Sequence, residues 1–132
     1  MGKKKMASPL CPCGSGQVYE NCCQAFHLGE PAPTPERLMR SRYTAYAMGL
    51  EDYLLDTWHP QHRPEKLGLA QEQSQWLGLE ILRAPEATGD EGRVEFLARY
   101  RINGRAHRLH EISRFQREAG RWFYLDGTFP GE

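Results

Sequence analysis

The chain predicts an α+β fold with a small metal knuckle at its front. Three observations lead there. Four cysteines, Cys11, Cys13, Cys22 and Cys23, crowd into thirteen residues, and no other cysteine occurs in the chain. After Pro35, apolar residues recur at helical spacing. From Leu77 onward the pattern changes to alternation, broken by Asn-Gly and Ala-Gly turns. Helices followed by a run of antiparallel strands define the α+β class.

The knuckle comes first in the chain. Its spacing is Cys-x-Cys, eight residues, then Cys-Cys. Four thiolates satisfy a tetrahedral ion, and closed structural zinc sites are often built from four sulfurs. Disulfides are the rival reading. Adjacent Cys22 and Cys23 cannot pair without strain, because neighbouring Cα atoms lie only about 3.8 Å apart. Pro12 stiffens the first pair, and Gly14 and Gly16 let the chain wrap tightly. One zinc per chain is expected, and iron also suits such sulfur-rich sites. His27, four residues after Cys23, is a further candidate ligand, weighed against a place beside the ligands or on the surface.

Gly29 to Pro35 holds three prolines in seven residues and reads as a linker. The expected units are therefore a knuckle with a basic tail over residues 1–30 and an α+β domain over 31–132. Thr34 caps a first helix, Pro35 suits its first position, and Glu36 favours the helix dipole. Met39, Tyr43, Tyr46 and Leu50 form one helical face, with Gly49 as the stop. A second helix is expected from Asp52 to Trp58, ended by His59-Pro60. A third is expected over Glu65 to Trp76.

The strands follow. Leu79, Ile81 and Leu77 alternate with Gly78, Glu80 and Leu82 in a first strand. Val94, Phe96, Ala98, Tyr100 and Ile102 give the inner face of a second. Asn103-Gly104 is a two-residue hairpin turn. It places Ile102 opposite Arg105, Ala98 opposite Leu109 and Phe96 opposite Glu111. Ala119-Gly120 turns into a last strand, Arg121 to Leu125, whose register the sequence leaves open.

Composition bounds the function. Lys+Arg and Asp+Glu both number 17, so no global field selects a polyanion. Charge is uneven, however: Arg93 to Arg121 holds eight arginines against three glutamates. Those arginines are either solvated strand residues or a face for RNA or an acidic partner. No apolar run approaches the roughly 20 residues needed to cross a bilayer, so no membrane association is expected. Met1 to Met6 is basic but lacks the apolar core of a secretory signal. Thiols held for metal fit a reducing interior, so the cytoplasm is expected. No phosphate loop, dinucleotide fingerprint or Gly-x-Ser-x-Gly elbow is present.

The stretch from Cys11 to Cys23, with its Gly14-Ser15-Gly16 turn and Tyr19, resembles the SEC-C motif at the end of the secretion motor SecA. There the module docks a chaperone and ribosomes. The resemblance thus implies a protein partner, with ribosome or RNA as a further expectation. Residues from Pro35 to Gly127 resemble the nuclear transport factor 2-like (NTF2-like, cystatin-like) cone, in which helices pack into a curved antiparallel sheet. Domains of that kind often pair through the sheet, so a homodimer is also expected. Leu38-Met39-Arg40-Ser41-Arg42-Tyr43, Thr57-Trp58-His59-Pro60, Leu109-His110-Glu111 and Gly120-Arg121-Trp122 resemble the YchJ family of uncharacterised bacterial proteins. That resemblance implies the fold and zinc, but no reaction.

A cone leaves a concave pocket. Tyr43, Tyr46, Trp58, Tyr100, Glu111 and Asp126 are its candidate residues. Glu111 shares a sheet face with Phe96 and Leu109, and a carboxylate there suits a general base. The competing reading is a salt bridge from Glu111 to Arg40 or Arg42. His110 falls on the opposite face, so His110 and Glu111 cannot form a dyad in one pocket. An interaction module is therefore favoured over an isomerase-like or dehydratase-like cone.

Overall fold

The computed structural model describes residues 9–69 and 74–130. Lys3 to Lys5 lie outside the described residues. In chain order come a 3-10 turn, Tyr19–Asn21, and three helices: α1 (Gln24–His27), α2 (Pro35–Met48) and α3 (Glu51–Asp56). The strands β1 (Gln75–Arg83), β2 (Glu91–Ile102), β3 (Arg105–Glu118) and β4 (Arg121–Thr128) follow. They form one antiparallel meander in the order β1-β2-β3-β4. The helices cover one face of it. Between the layers lie Leu38, Met39 and Tyr43 of α2, with Val94, Phe96, Ala98, Phe115 and Trp122 of the sheet.

α2 begins as its sequence requires. The Thr34 hydroxyl accepts from the Arg37 N–H at 3.1 Å, Pro35 takes the first turn, and Gly49 ends the helix at φ 76°. Burial extends well beyond the expected stripe, to Ser41, Thr44 and Ala45. α2 lies between the sheet and the knuckle, so it buries two faces.

Among the described residues, the helix expected over Glu65 to Trp76 is not found at 65–68 or at 74–76. Residues 65–68 are irregular, Leu69 lies in a 3-10 turn, 70–73 lie outside the described residues, and Trp76 belongs to β1, paired with Tyr100. Gly68 takes φ 73°, which breaks a helix. The Leu67 and Leu69 N–H groups instead donate to the Glu51 carboxylate at 3.0 and 2.9 Å.

The β2–β3 hairpin has the expected register throughout: Ile102 faces Arg105, Ala98 faces Leu109 and Phe96 faces Glu111. Asn103 and Gly104 take φ 52° and 78°, as a type I′ turn demands. The outer strands are bulged. β1 shifts register at Leu77 and Leu82, and both leucines are 41% exposed. The first shift turns Trp76 inward with Leu79, so Leu77 is not a core residue. β4 shifts between Arg114 and Phe115, with Leu125 as the extra residue.

The segment after α1 does not behave as a bare linker. Ala32 is buried, and Arg121 donates to the Gly29 carbonyl at 3.3 Å. Among the described residues no helix is long and apolar enough to cross a membrane.

Candidate metal centre and neighbouring cavity

The four cysteines converge. Their sulfurs all lie within 4.8 Å of one another, and every one of the four residues is buried. Cys13 Sγ stands 3.6 Å from Cys22 Sγ, which is 3.9 Å from Cys23 Sγ. Four sulfurs about 2.3 Å from a tetrahedral zinc would sit about 3.8 Å apart. The donor set and its spacing therefore fit a closed metal site. All four thiols are free of disulfides.

The protein also prepares the sulfurs electrically. The Cys13 thiol is pushed down to about 4, chiefly because Cys23 hydrogen-bonds to its sulfur, with Ser15 adding further bonds. Cys23 is pushed up by the same bond and by burial. Burial raises Cys22. The cluster thus already favours one thiolate, and a cation would displace the remaining protons. Hydroxyls surround it: Ser15 Oγ is 3.2 Å from Cys22 Sγ, and Thr44 Oγ1 donates to Cys23 Sγ at 3.5 Å.

The knuckle is anchored to the domain behind it. Arg40 Nη1 donates to the Cys13 carbonyl at 2.7 Å, while its Nε pairs with Glu36. Leu79 of β1 packs on the cysteines. His27 is no ligand, because both its ring nitrogens are engaged elsewhere. Its Nδ1 meets the Tyr19 hydroxyl at 2.7 Å, and its Nε2 donates to the Ser41 carbonyl at 2.8 Å. Burial lowers its pKa, which keeps the ring neutral in that strap. Thr44 was not singled out in the sequence, Arg40 was read there only as a partner for Glu111, and Ser15 only as part of the turn. Thr44 and Arg40 share a face of α2 at i, i+4, but only the knuckle behind them gives that face meaning.

A cavity of about 220 Å³ lies on the far side of α2. Tyr43, Tyr46 and Glu111 line it, joined by Arg42, Trp76 and Tyr124. Trp58, Tyr100 and Asp126 do not. Trp58 lies behind the wall, with its ring 5.0 Å from Tyr124 and the Arg42 guanidinium 5.2 Å over it. Tyr100 stands one ring further out, 5.3 Å from Trp76 and stacked on His107. Asp126 is on the outer face, in a two-pronged pair with Arg114 at 2.7 and 2.8 Å. The bulge at Leu125 decides this: Tyr124 faces inward opposite Phe115, and after the extra residue Asp126 faces outward opposite Arg114.

Glu111 is buried on the inner face, as the hairpin register requires. It makes no ion pair with Arg40 or Arg42 among the described residues. Instead Ser113 Oγ and the Tyr124 hydroxyl both donate to its Oε2 at 2.8 Å. Arg42 is bound elsewhere: Nη1 donates to the Leu54 carbonyl and to Thr57 Oγ1 at 2.8 and 2.7 Å, and its guanidinium lies 4.6 Å over the Tyr124 ring. Burial, then the charge of Glu111, raises the Tyr124 pKa and keeps its hydroxyl a donor. Burial likewise pushes Tyr43 up to about 12. The signals for Arg42 and Ser113 were present: Arg42 shares the Met39/Tyr46 stripe, and Ser113 follows Glu111 by one strand period. His110 lies on the other face and meets Glu95 at 2.7 Å.

Two arginines of the basic stretch are paired: Arg114 with Asp126 on the outer face, and Arg117, whose guanidinium lies over the Trp122 ring, with Asp90. Arg99, Arg101, Arg105 and Arg108 are exposed toward the hairpin tip.

Residues 34–127 match the family described as YchJ, middle NTF2-like domain, and residues 10–25 match the SEC-C motif. A UPF0225 protein of Chromobacterium violaceum is 52% identical, over 96% of this chain and 98% of its own. Another, from Bordetella pertussis, is 47% identical over 95% of this chain and 97% of its own. The solution structure of a SEC-C motif protein from Rhodopseudomonas palustris superposes with a TM-score of 0.81 at 38% identity, covering 90% of this chain and 97% of that one. A crystal structure of a SEC-C motif protein from Psychrobacter arcticus gives 0.75 at 27% identity, covering 92% and 83%.

Proposed function

The chain belongs to the YchJ family, in which an NTF2-like domain follows a SEC-C motif, and we propose that it is a zinc-binding cytoplasmic protein that docks a protein partner through that motif. The observation that carries this reading is the buried cluster of four free thiols within 4.8 Å of one another. Zinc suits an all-sulfur tetrahedral set and carries no redox chemistry of its own. Four protein ligands leave no open coordination position, so the ion would hold structure rather than activate water. What it would hold is a loop with an outward edge. Pro12, Ser15 and Gln17 are exposed there, and Leu10, paired to Val18 across the loop base, is 65% exposed. A rigid loop with an exposed apolar residue can dock a partner at little entropic cost.

Elemental mass spectrometry on untagged protein tests the metal, with about one zinc per chain expected. Capture from bacterial lysate tests the docking. The intact chain is compared with Leu10→Arg and Gln17→Glu, which leave every thiol in place, and with Arg105→Glu at the far hairpin as control. Proteins retained by the intact chain and the control, but lost from the two loop variants, support the reading. Equal retention by all four sinks it.

A further inference from the structure

We propose that the cavity between α2 and the sheet binds a small, flat, uncharged ring compound through one N–H or O–H group donated to Glu111. This does not rest on the metal or on a docking partner.

The size of the cavity comes first. A dry apolar cavity of about 150 Å³ accepts benzene, with its six heavy atoms. At about 220 Å³, the space here takes roughly nine heavy atoms on that scale. That is a fused two-ring system, below the usual range for larger cofactors.

The shape follows from the walls. Trp76 sits at the centre of an aromatic group, with ring centroids 5.7 Å from Tyr43, 5.8 Å from Tyr46 and 5.3 Å from Tyr100. Phe96, Ala98 and Leu109 supply the apolar floor. Such walls favour a planar ring, which can stack or meet them edge to face.

Charge and hydrogen bonding then select the functional group. The cavity holds two buried charged side chains, Arg42 at 3% exposure and Glu111 at 7%. Tyr124 joins them: its ring lies under the guanidinium, and its hydroxyl donates to the carboxylate. The opposite charges leave the site near neutrality, so a charged ligand would lose its hydration without gaining a net opposite charge. Both hydrogen bonds to Glu111 end on Oε2, and among the described residues none ends on Oε1. A carboxylate oxygen only accepts, so the matching ligand atom must carry a hydrogen. Nη1 of Arg42 is committed to Leu54 and Thr57, and the burial of Tyr124 and Tyr43 keeps their hydroxyls neutral. Oε1 of Glu111 is thus an acceptor left open to an N–H or O–H group of a guest.

Indole and benzofuran make the deciding pair. They share shape and heavy-atom count, but only indole carries a donor. Titrations of the full-length protein, followed through the Met39 and Ala98 methyl resonances, should show indole binding at least about tenfold more tightly than benzofuran, or ~1.4 kcal/mol. Benzoate and benzylammonium, the charged probes, should bind more weakly than indole. Ala98→Leu fills the floor and should abolish binding of all four. Glu111→Gln presents an amide N–H₂ in place of an acceptor and should erase the indole preference. The comparison of probes on unaltered protein stands even if a variant fails to fold. Equal affinity for indole and benzofuran, tighter binding of either charged probe, or no saturable shift with any probe to about 10 mM would each overturn the proposal.

Discussion

Thr44 lies twenty-one residues beyond Cys23, yet its hydroxyl donates to that sulfur. It also lies 3.6 Å from Cys11 Sγ. Hydroxyl donors beside a metal-bound thiolate spread its charge and hold its rotamer, and losing one commonly costs about 10–100-fold in metal affinity. Thr44→Val keeps the shape and removes the donor. It should bind the same amount of metal but release it to a competing chelator at least about tenfold more readily. Unchanged chelator competition would leave Thr44 as packing alone. A second residue-scale prediction concerns Asp126, whose carboxyl is held below its ordinary value chiefly by the Arg114 hydrogen bonds. A depressed folded pKa contributes stability above the unfolded value of about 3.9, and that contribution is lost as pH falls through the folded value. Asp126→Asn should therefore lower the unfolding free energy from urea titration at pH 7 by only about a few tenths of a kcal/mol, since the pair is half exposed. The gap between variant and wild type should narrow as pH falls below about 3.9 and close only below the lowered folded value. A gap of constant size across that range would show that the charge of Asp126 contributes nothing.

At the scale of the element, the chain was legible where local chemistry alone decides. Thr34-Pro35 starts a helix and Asn103-Gly104 closes a hairpin whatever surrounds them, so both were foreseeable, along with the placement of Glu111. The sequence was illegible where a third element decides. The second buried face of α2 is polar (Ser41, Thr44), so no apolar period announces it. Bulges at Leu77, Leu82 and Leu125 re-aim the edge strands, and nothing local marks them. That is why Asp126 was expected in the pocket and Tyr124 was not. The four-cysteine cluster was legible from its spacing, whereas its hydroxyl neighbours depended on where α2 docks. The β4 bulge also gives a test. It carries Gly127 to the inner face opposite Ser113, where a Cβ would collide with Oε2 and Cδ of Glu111. Gly127→Ala should therefore push the carboxylate off the Tyr124 hydroxyl, lowering stability by about 1–3 kcal/mol. Glu111→Gly should relieve the clash, so the double variant should lose less than the two single losses combined. Strict additivity would place the strain somewhere other than Glu111.

Across the whole molecule, the main question is whether the knuckle is a tethered appendage or part of the cooperative unit. Its contacts favour the second. Arg40 and Thr44 of α2 reach the cysteine segment, Leu79 of β1 packs on it, and His27 spans Tyr19 and Ser41. α2 carries Thr44 toward the sulfurs and its neighbour Tyr43 toward the cavity, so loss of the knuckle would expose the back of the helix that walls the pocket. An ion that binds only the folded state stabilises it by RT ln(1 + [L]/Kd), about 2.7 kcal/mol at a hundredfold excess over Kd. For a chain of 132 residues that corresponds to roughly 8–10 °C in Tm. Metal removal by a chelator should therefore shift one calorimetric transition downward by about that much, and the far-sheet Trp122 region should melt with it. Lowering pH toward 5 should act in the same direction, because protons compete with the metal for the thiolates. Had the segment after α1 been a free linker, chelation would instead remove a small separate transition and leave the main one in place. Ala32 is buried in that segment and Gly29 is bound to Arg121, which couples it to β4. A main transition that does not respond to the chelator would therefore contradict the packing of the knuckle on α2, whatever the identity of the ion.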